Sequence, residues 1–191
     1  MKAYDFIHLS LLALGGNVEG RTKLQKTIYF LGILTGNLEE LGYRAHFYGP
    51  YSDEVAAAVN RLKSLGFVQQ MSQSWGKHGD NGFEMNRQDY YLTDEGREVA
   101  ERKAENSPSA WKKIQKAVNH LKSAGEIGYM RMSVAAKTYF MLSTKHRANA
   151  AELADAANKL GWTPTTAEIR ESVDFLKQLG LVRDIKPAEA A

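Results

Sequence analysis

The side chains best suited to proton transfer or metal ligation near neutral pH are five histidines, His8, His46, His78, His120 and His146, spread along a chain of 191 residues. They are scattered one per predicted element rather than grouped at ligand spacing, and with no cysteine in the chain there is no thiolate to join them. Adjacent acids occur as Glu39-Glu40, Asp53-Glu54 and Asp94-Glu95, in a loop or at helix starts, where a structural role suffices. A glycine-rich phosphate loop, a His-Glu-x-x-His motif and a nucleophile elbow are all absent. The expectation is a protein that is not an enzyme, with no catalytic residue, no metal ligand and no cofactor site. What remains is binding chemistry.

Two sets of residues carry it. The first is basic. The net charge is only +3, but residues 1–105 hold 12 Lys and Arg against 14 Asp and Glu, whereas residues 106–191 hold 13 against 8. Within 107–147 the single acid is Glu126, which suggests a surface facing a polyanion; the alternative is an ordinary solvated helix face. The residues placed for phosphate contact are Arg21, Lys23 and Lys26 on one helix, Arg61 and Lys63 at the end of another, Lys77 in a polar loop with Trp75 and His78, and Lys112, Lys113 and Lys116 further on. Contacts of this type to double-stranded DNA are salt-sensitive and weakly sequence-specific. The second set is aromatic: Tyr43, Phe47, Tyr48 and Tyr51 surround Gly49-Pro50. Tyr48 and Tyr51 suit a protein-docking surface, and the alternative is that this group packs one helix on the next.

The elements that must position these residues follow from periodicity and caps. Helix one is expected over Tyr4–Leu14, stopped by Gly15-Gly16-Asn17. Val18-Glu19-Gly20 is a connector. A second helix begins with Thr22 as N-cap and Gln25 completing a capping box, and carries Leu24, Ile28 and Leu31 on one face with its basic residues opposite. Arg44–Tyr48 reads as a short strand. Ser52 caps helix three, whose first residues Asp53 and Glu54 suit the helix dipole but would repel phosphates. Phe67–Met71 and Phe83–Leu92 are strands flanking a loop at Ser72–Gly82, and Thr93 caps a helix to about Glu105. Three short helices followed by a hairpin give the order of a winged helix, mainly α with a small antiparallel wing.

Beyond it, Ser107-Pro108 opens a helix with the apolar stripe Trp111, Ile114, Val118 and Leu121. Further helices are expected over Met130–Leu142, Ala150–Leu160 and, from a Thr165/Glu168 capping box, up to Leu179, with a frayed tail at Lys186–Ala191. The segments Val59–Val68 and Val173–Val182 match at six of ten positions. That echo fits either a duplicated half or the convergent pattern of a helix ending in glycine before a strand.

The run GRTKLQKTIYFLG, then HFYGPYSDEV, LKSLGFV and YYLTDEG resembles the YwgA-type winged-helix proteins from about Leu9 to Gly96. Residues 132–142 and 167–182 are more loosely similar to that family's C-terminal helices. The resemblance implies a winged-helix fold and a regulatory role, with no settled catalytic residues to carry over. The Lys-Leu-Gln-Lys and Tyr-Gly-Pro elements are also similar to Panacea-domain antitoxins, which neutralise partner toxins, although the longer basic C-terminal region departs from that pattern.

The expected organisation is a winged-helix domain at 1–105 and a basic helical domain at 106–191, the latter serving dimerisation or forming a second winged-helix-like half. The expected function is DNA binding or transcriptional regulation by a homodimer. The alternative is a protein-interaction module, such as an antitoxin or an accessory subunit of a defence or repair complex, and a third reading is a small-molecule sensor between the halves. The N-terminus lacks the pattern of a signal peptide and the apolar runs are too short for a membrane span, so a cytoplasmic protein with no membrane partner is expected.

Overall fold

The computed structural model describes residues 1–77, 84–125 and 128–185. It is mainly helical with one small antiparallel sheet. In chain order the elements are α1 (Ala3–Ala13), β1 (Asn17–Glu19), α2 (Arg21–Thr35), α3 (Asp53–Ser64), β2 (Val68–Lys77), β3 (Glu84–Leu92), α4 (Asp94–Asn106), α5 (Pro108–Ser123), α6 (Tyr129–Lys145), α7 (Ala150–Lys159) and α8 (Thr166–Gln178), with a 3-10 turn at Glu39–Leu41. Among the described residues no helix is long and apolar enough to cross a membrane.

α2 lies at the centre. Every residue from Leu24 to Gly32 is buried, because α1, α5, α6 and the sheet all pack around it. The main core joins Phe6, Ile7 and Leu9 of α1 to Ile28 and Phe30 of α2 and Leu62 of α3, then runs on into Ile114 and Val118 of α5, Ala136 of α6 and Leu176 of α8. This core crosses the expected boundary at residues 105 and 106. A smaller cluster of Met141, Leu153, Ala157, Trp162 and Ile169 ties α6, α7 and α8 together. Among the described residues no strand follows α8.

The sheet has the order β1-β3-β2, with Val18 opposite Tyr90 and Gln70 opposite Tyr90 on the other side. β1 stands where a connector was expected. It is three residues long with one apolar side chain, so it exists only through pairing with a strand some seventy residues away. β2 extends through most of the expected loop to Lys77, since its polar residues find polar partners across the ladder: Ser72 Oγ donates to Gln88 Oε1 at 2.9 Å and Gln70 also bonds Gln88. His78 lies outside the described residues, as do the side chains of Trp75 and Lys77 and the tail Lys186–Ala191.

The start of α2 corrects another expectation. Thr22 and Gln25 form no capping box. The helix begins two residues earlier, with Gly20 at the N-cap, which has φ +86° and offers no side-chain cap. Its N–H donates to buried Asp89 Oδ1 at 3.0 Å, and Arg87 holds that carboxylate at 2.9 Å. The caps expected at Ser52, Thr93 and Thr165 are present, the last with the full reciprocal box. Gly96, in the first turn of α4, has no room for a side chain, because a Cβ there would sit 2.0 Å from the Phe67 carbonyl oxygen. Beneath it buried His8 bonds the Gly96 carbonyl through Nε2 at 2.8 Å and stacks on Phe67.

Candidate functional site

The segment from Arg44 to Ser52 is not a strand. Its two ends meet in a single antiparallel bridge, Arg44 N to Tyr51 O at 3.0 Å and Tyr51 N to Arg44 O at 2.9 Å, and the residues between form a turn. The turn has almost no secondary-structure ladder of its own, so its carbonyls must find partners elsewhere. Three alternate carbonyls do so on three different parts of the molecule. Trp162 Nε1, in the α7–α8 connection, donates to His46 O at 2.8 Å. Ser133 Oγ of α6 donates to Tyr48 O at 2.8 Å. Lys26 Nζ of α2 donates to Pro50 O at 2.6 Å.

The following residue is gripped as well. The Gln25 amide exchanges two hydrogen bonds with the Ser52 backbone, donating to its carbonyl at 2.9 Å and accepting from its N–H at 3.1 Å. Tyr43 OH donates to Gln25 O at 2.6 Å. Gly49 passes with φ +96° so close to Lys137 that a Cβ would lie 3.0 Å from the lysine Cγ. The backbone of the turn is thus fixed from below while its tip faces solvent. Phe47 is 70% exposed and Tyr48 63% exposed, and the two rings meet edge to face at 5.1 Å between centroids. Exposed Tyr129 and Met130 lie one helical turn before Ser133, on the side of α6 that meets Tyr48.

Lys26 was expected to face phosphates and does not. It is 1% exposed, so its ammonium reaches no external anion. Burial, with the charge of Lys137 adding to it, pulls its pKa down from 10.5 to about 8. Burial also lowers the Lys137 pKa, and the Lys137 amine lies 5.4 Å from the centre of the Trp162 ring. Two amines therefore flank the Gly49-Pro50 peptide, and one of them is a structural donor.

The other expected contact residues fall in separate places. Arg21 is exposed at the first position of α2 and Lys23 half-buried beside it. Arg61 is exposed, with its guanidinium carbon 4.9 Å from the centre of the Tyr4 ring. Half-buried Lys63 bonds the Gln70 side chain. Arg21 and Lys63 line one cleft between α2, α3 and the sheet. Lys112, Lys113 and Lys116 are exposed together on α5. Tyr48 is at the exposed tip of the turn, whereas Tyr51 is half-buried with its ring 5.0 Å from that of His46. The residues that fix the turn from α6 and beyond, Ser133, Lys137 and Trp162, were not anticipated. Ser133 and Lys137 stand four apart on α6, a spacing that marks one helix face, but nothing local indicates that a turn eighty residues earlier docks there.

No known protein-family model matches the chain. Over 61 residues, 32% of this chain, it is 39% identical to YwgA, an uncharacterized protein of Bacillus subtilis (strain 168). The matched stretch spans 36% of that relative's length.

Proposed function

We propose that this protein is a protein-interaction module, built on a winged-helix scaffold, whose 46–50 turn presents Phe47 and Tyr48 to a partner. The observation that carries this reading is the pairing of two largely exposed aromatic rings with a backbone whose three alternate carbonyls are bound by α2, α6 and the α7–α8 connection. Large aromatic anchors dominate interface energies, and a backbone already ordered in the free protein loses little entropy on association. Tyr129 and Met130 extend the apolar surface from the neighbouring helix. An antitoxin or an accessory subunit of a defence or repair complex would use such a surface. The winged-helix reading is supported by the order of α1, β1, α2 and α3 before the β2–β3 hairpin, with β1 closing on β3. The exposed Asp53, ion-paired with Arg44, and the exposed Glu54 at the head of α3 argue against insertion of that helix into a DNA groove.

The test is capture of partners by tagged protein from its native cell extract, followed by affinity measurement with the recovered partner. Tyr48→Ala is expected to weaken the complex by about 30-fold, an anchor's worth of binding energy, with the circular dichroism spectrum and melting temperature unchanged. A partner retained equally by Tyr48→Ala and Phe47→Ala would sink this use of the turn.

A second reading, contact with double-stranded DNA, has one observation of its own. Lys112, Lys113 and Lys116 are exposed on one side of α5, and among the described residues none of them forms an ion pair. Such a face suits backbone contact without sequence readout.

A further inference from the structure

α2, α3 and the sheet enclose a cleft of about 290 Å³ whose walls include buried Leu24, Val55 and Val59. Arg21 and Lys63 line it, and among the described residues no carboxylate does. Lys63 bonds only the Gln70 amide, and Arg21 has no side-chain partner among the described residues. Two cations thus share one small space without a counter-charge. Tyr90, also in the lining, is 5% exposed, yet its hydroxyl has no hydrogen-bond partner among the described residues and is not sealed in the core. A phenol so placed opens on the cleft as a free donor. Arg21 is moreover the first residue of a 15-residue helix with no side-chain cap, so uncapped N–H groups and the positive end of the helix dipole lie beside it.

We propose that this cleft binds a phosphate monoester, with Arg21 and Lys63 holding the phosphoryl oxygens and the Tyr90 hydroxyl donating a hydrogen bond to them. Two uncompensated cations match a dianion and leave one charge unmet by a carboxylate or a phosphodiester. A guanidinium adds the two-pronged geometry that suits phosphate oxygens. The apolar walls accept the organic part, and the volume sits near the lower limit of ~300 Å³ for small-molecule sites. The proposal is independent of the use made of the aromatic turn.

The experiment is calorimetric titration of the full chain with phenyl phosphate, at constant ionic strength, with dimethyl phosphate and a short DNA duplex as parallel ligands. Phenyl phosphate is expected to bind saturably and dimethyl phosphate not to bind. Arg21→Gln and Lys63→Gln should each weaken it by about tenfold and Tyr90→Phe by about threefold, the worth of a charge-assisted bond and of a neutral donor. Tyr90→Phe removes a hydroxyl that bonds no group among the described residues, so its melting temperature should match the parent's. Lys112→Gln on α5 should leave the affinity unchanged. Absence of saturable phenyl phosphate binding would overturn the proposal. So would equal weakening by Lys112→Gln, which would mean diffuse attraction, or tighter binding of the diester or duplex through the same residues, which would make the cleft a contact for nucleic-acid backbone.

Discussion

On α5, Ile114, Ala117, Val118 and Leu121 form one buried stripe and Lys112, Lys113 and Lys116 stay in solvent, whereas α2 buries every residue from Leu24 to Gly32, Lys26 among them. Both helices carry lysines spaced to share a face. The difference lies in position: α5 covers an edge of the core, and α2 is surrounded. A polar side chain on a surrounded helix has no water to return to and must be bonded by protein. Three successive residues of α2 meet that demand on two other parts of the chain, the 44–52 turn and α6. Gln25 holds Ser52, Lys26 holds Pro50, and the Thr27 hydroxyl points to the Met132 sulfur at 3.5 Å. The polar stretch that resembles a contact surface in sequence is the set of bolts that fixes the aromatic turn.

Charge reversal should separate the two helices most sharply. Lys26→Glu places a carboxylate against the Pro50 carbonyl in the core and should cost ~3–5 kcal/mol, the range for an uncompensated buried charge. Lys112→Glu should change stability by no more than ~0.5 kcal/mol. Urea denaturation of both variants measures this, and equal effects would mean that α2 is not the surrounded helix.

Titration gives a smaller and more specific signal. With a folded pKa of about 8 against an ordinary 10.5, Lys26 releases its proton in the folded chain above pH 8 while the unfolded chain still holds it. Between those values the unfolded state binds more protons, so folding stability should rise with pH, by up to ~1.4 kcal/mol per unit. Below pH 8 both states are charged and the full penalty of the buried ammonium persists. Above pH 10 the trend should reverse, because burial holds the phenols of Tyr29 and Tyr43 above the ordinary tyrosine value while the unfolded chain ionises. The parent protein should therefore gain stability from pH 8 to 9.5 more steeply than Lys26→Met, which keeps only the smaller contribution of the lowered Lys137 pKa. Parallel curves would remove Lys26 from the account.

The same contrast explains which parts of the fold were legible. Ser52, Thr93 and Thr165 announce their helices because a cap bonds a backbone group three residues away. The buried stripe of α5 was visible for the same reason, since an edge helix displays its period. The start of α2 was misread because its true anchor, Asp89, lies 69 residues beyond Gly20. β1 depends on β3 in the same way, and Trp162 reaches His46 across 116 residues. For the candidate site, the sequence marked the aromatic tip, gave Lys26 and Gln25 other roles, and left out Ser133 and Trp162. An exposed ring is a property of its own segment, but a hydrogen bond from α6 or from beyond α7 belongs to the tertiary arrangement.

The smallest expected effect on stability belongs to the α5 lysines, and for that reason they make the cleanest probe of the DNA reading. Neutralising all three, Lys112→Gln with Lys113→Gln and Lys116→Gln, removes no bonded group and empties no cavity, so the chain should unfold within ~1 kcal/mol of the parent. If this face touches a duplex, each lysine lost releases about one fewer counterion on binding. The slope of log affinity against log salt should then fall by up to ~2.7 in the triple variant. Fluorescence anisotropy over a salt series, with mixed-sequence duplexes, reads both the affinity and the slope. A parent protein that shows no binding at low salt, or a triple variant with the parent's slope, removes α5 as a DNA surface. Because the turn at Phe47 and Tyr48 is held by other helices, its partner binding should be untouched in the same variant, and that independence distinguishes a docking module carrying a basic edge from a DNA-binding protein carrying a rigid loop.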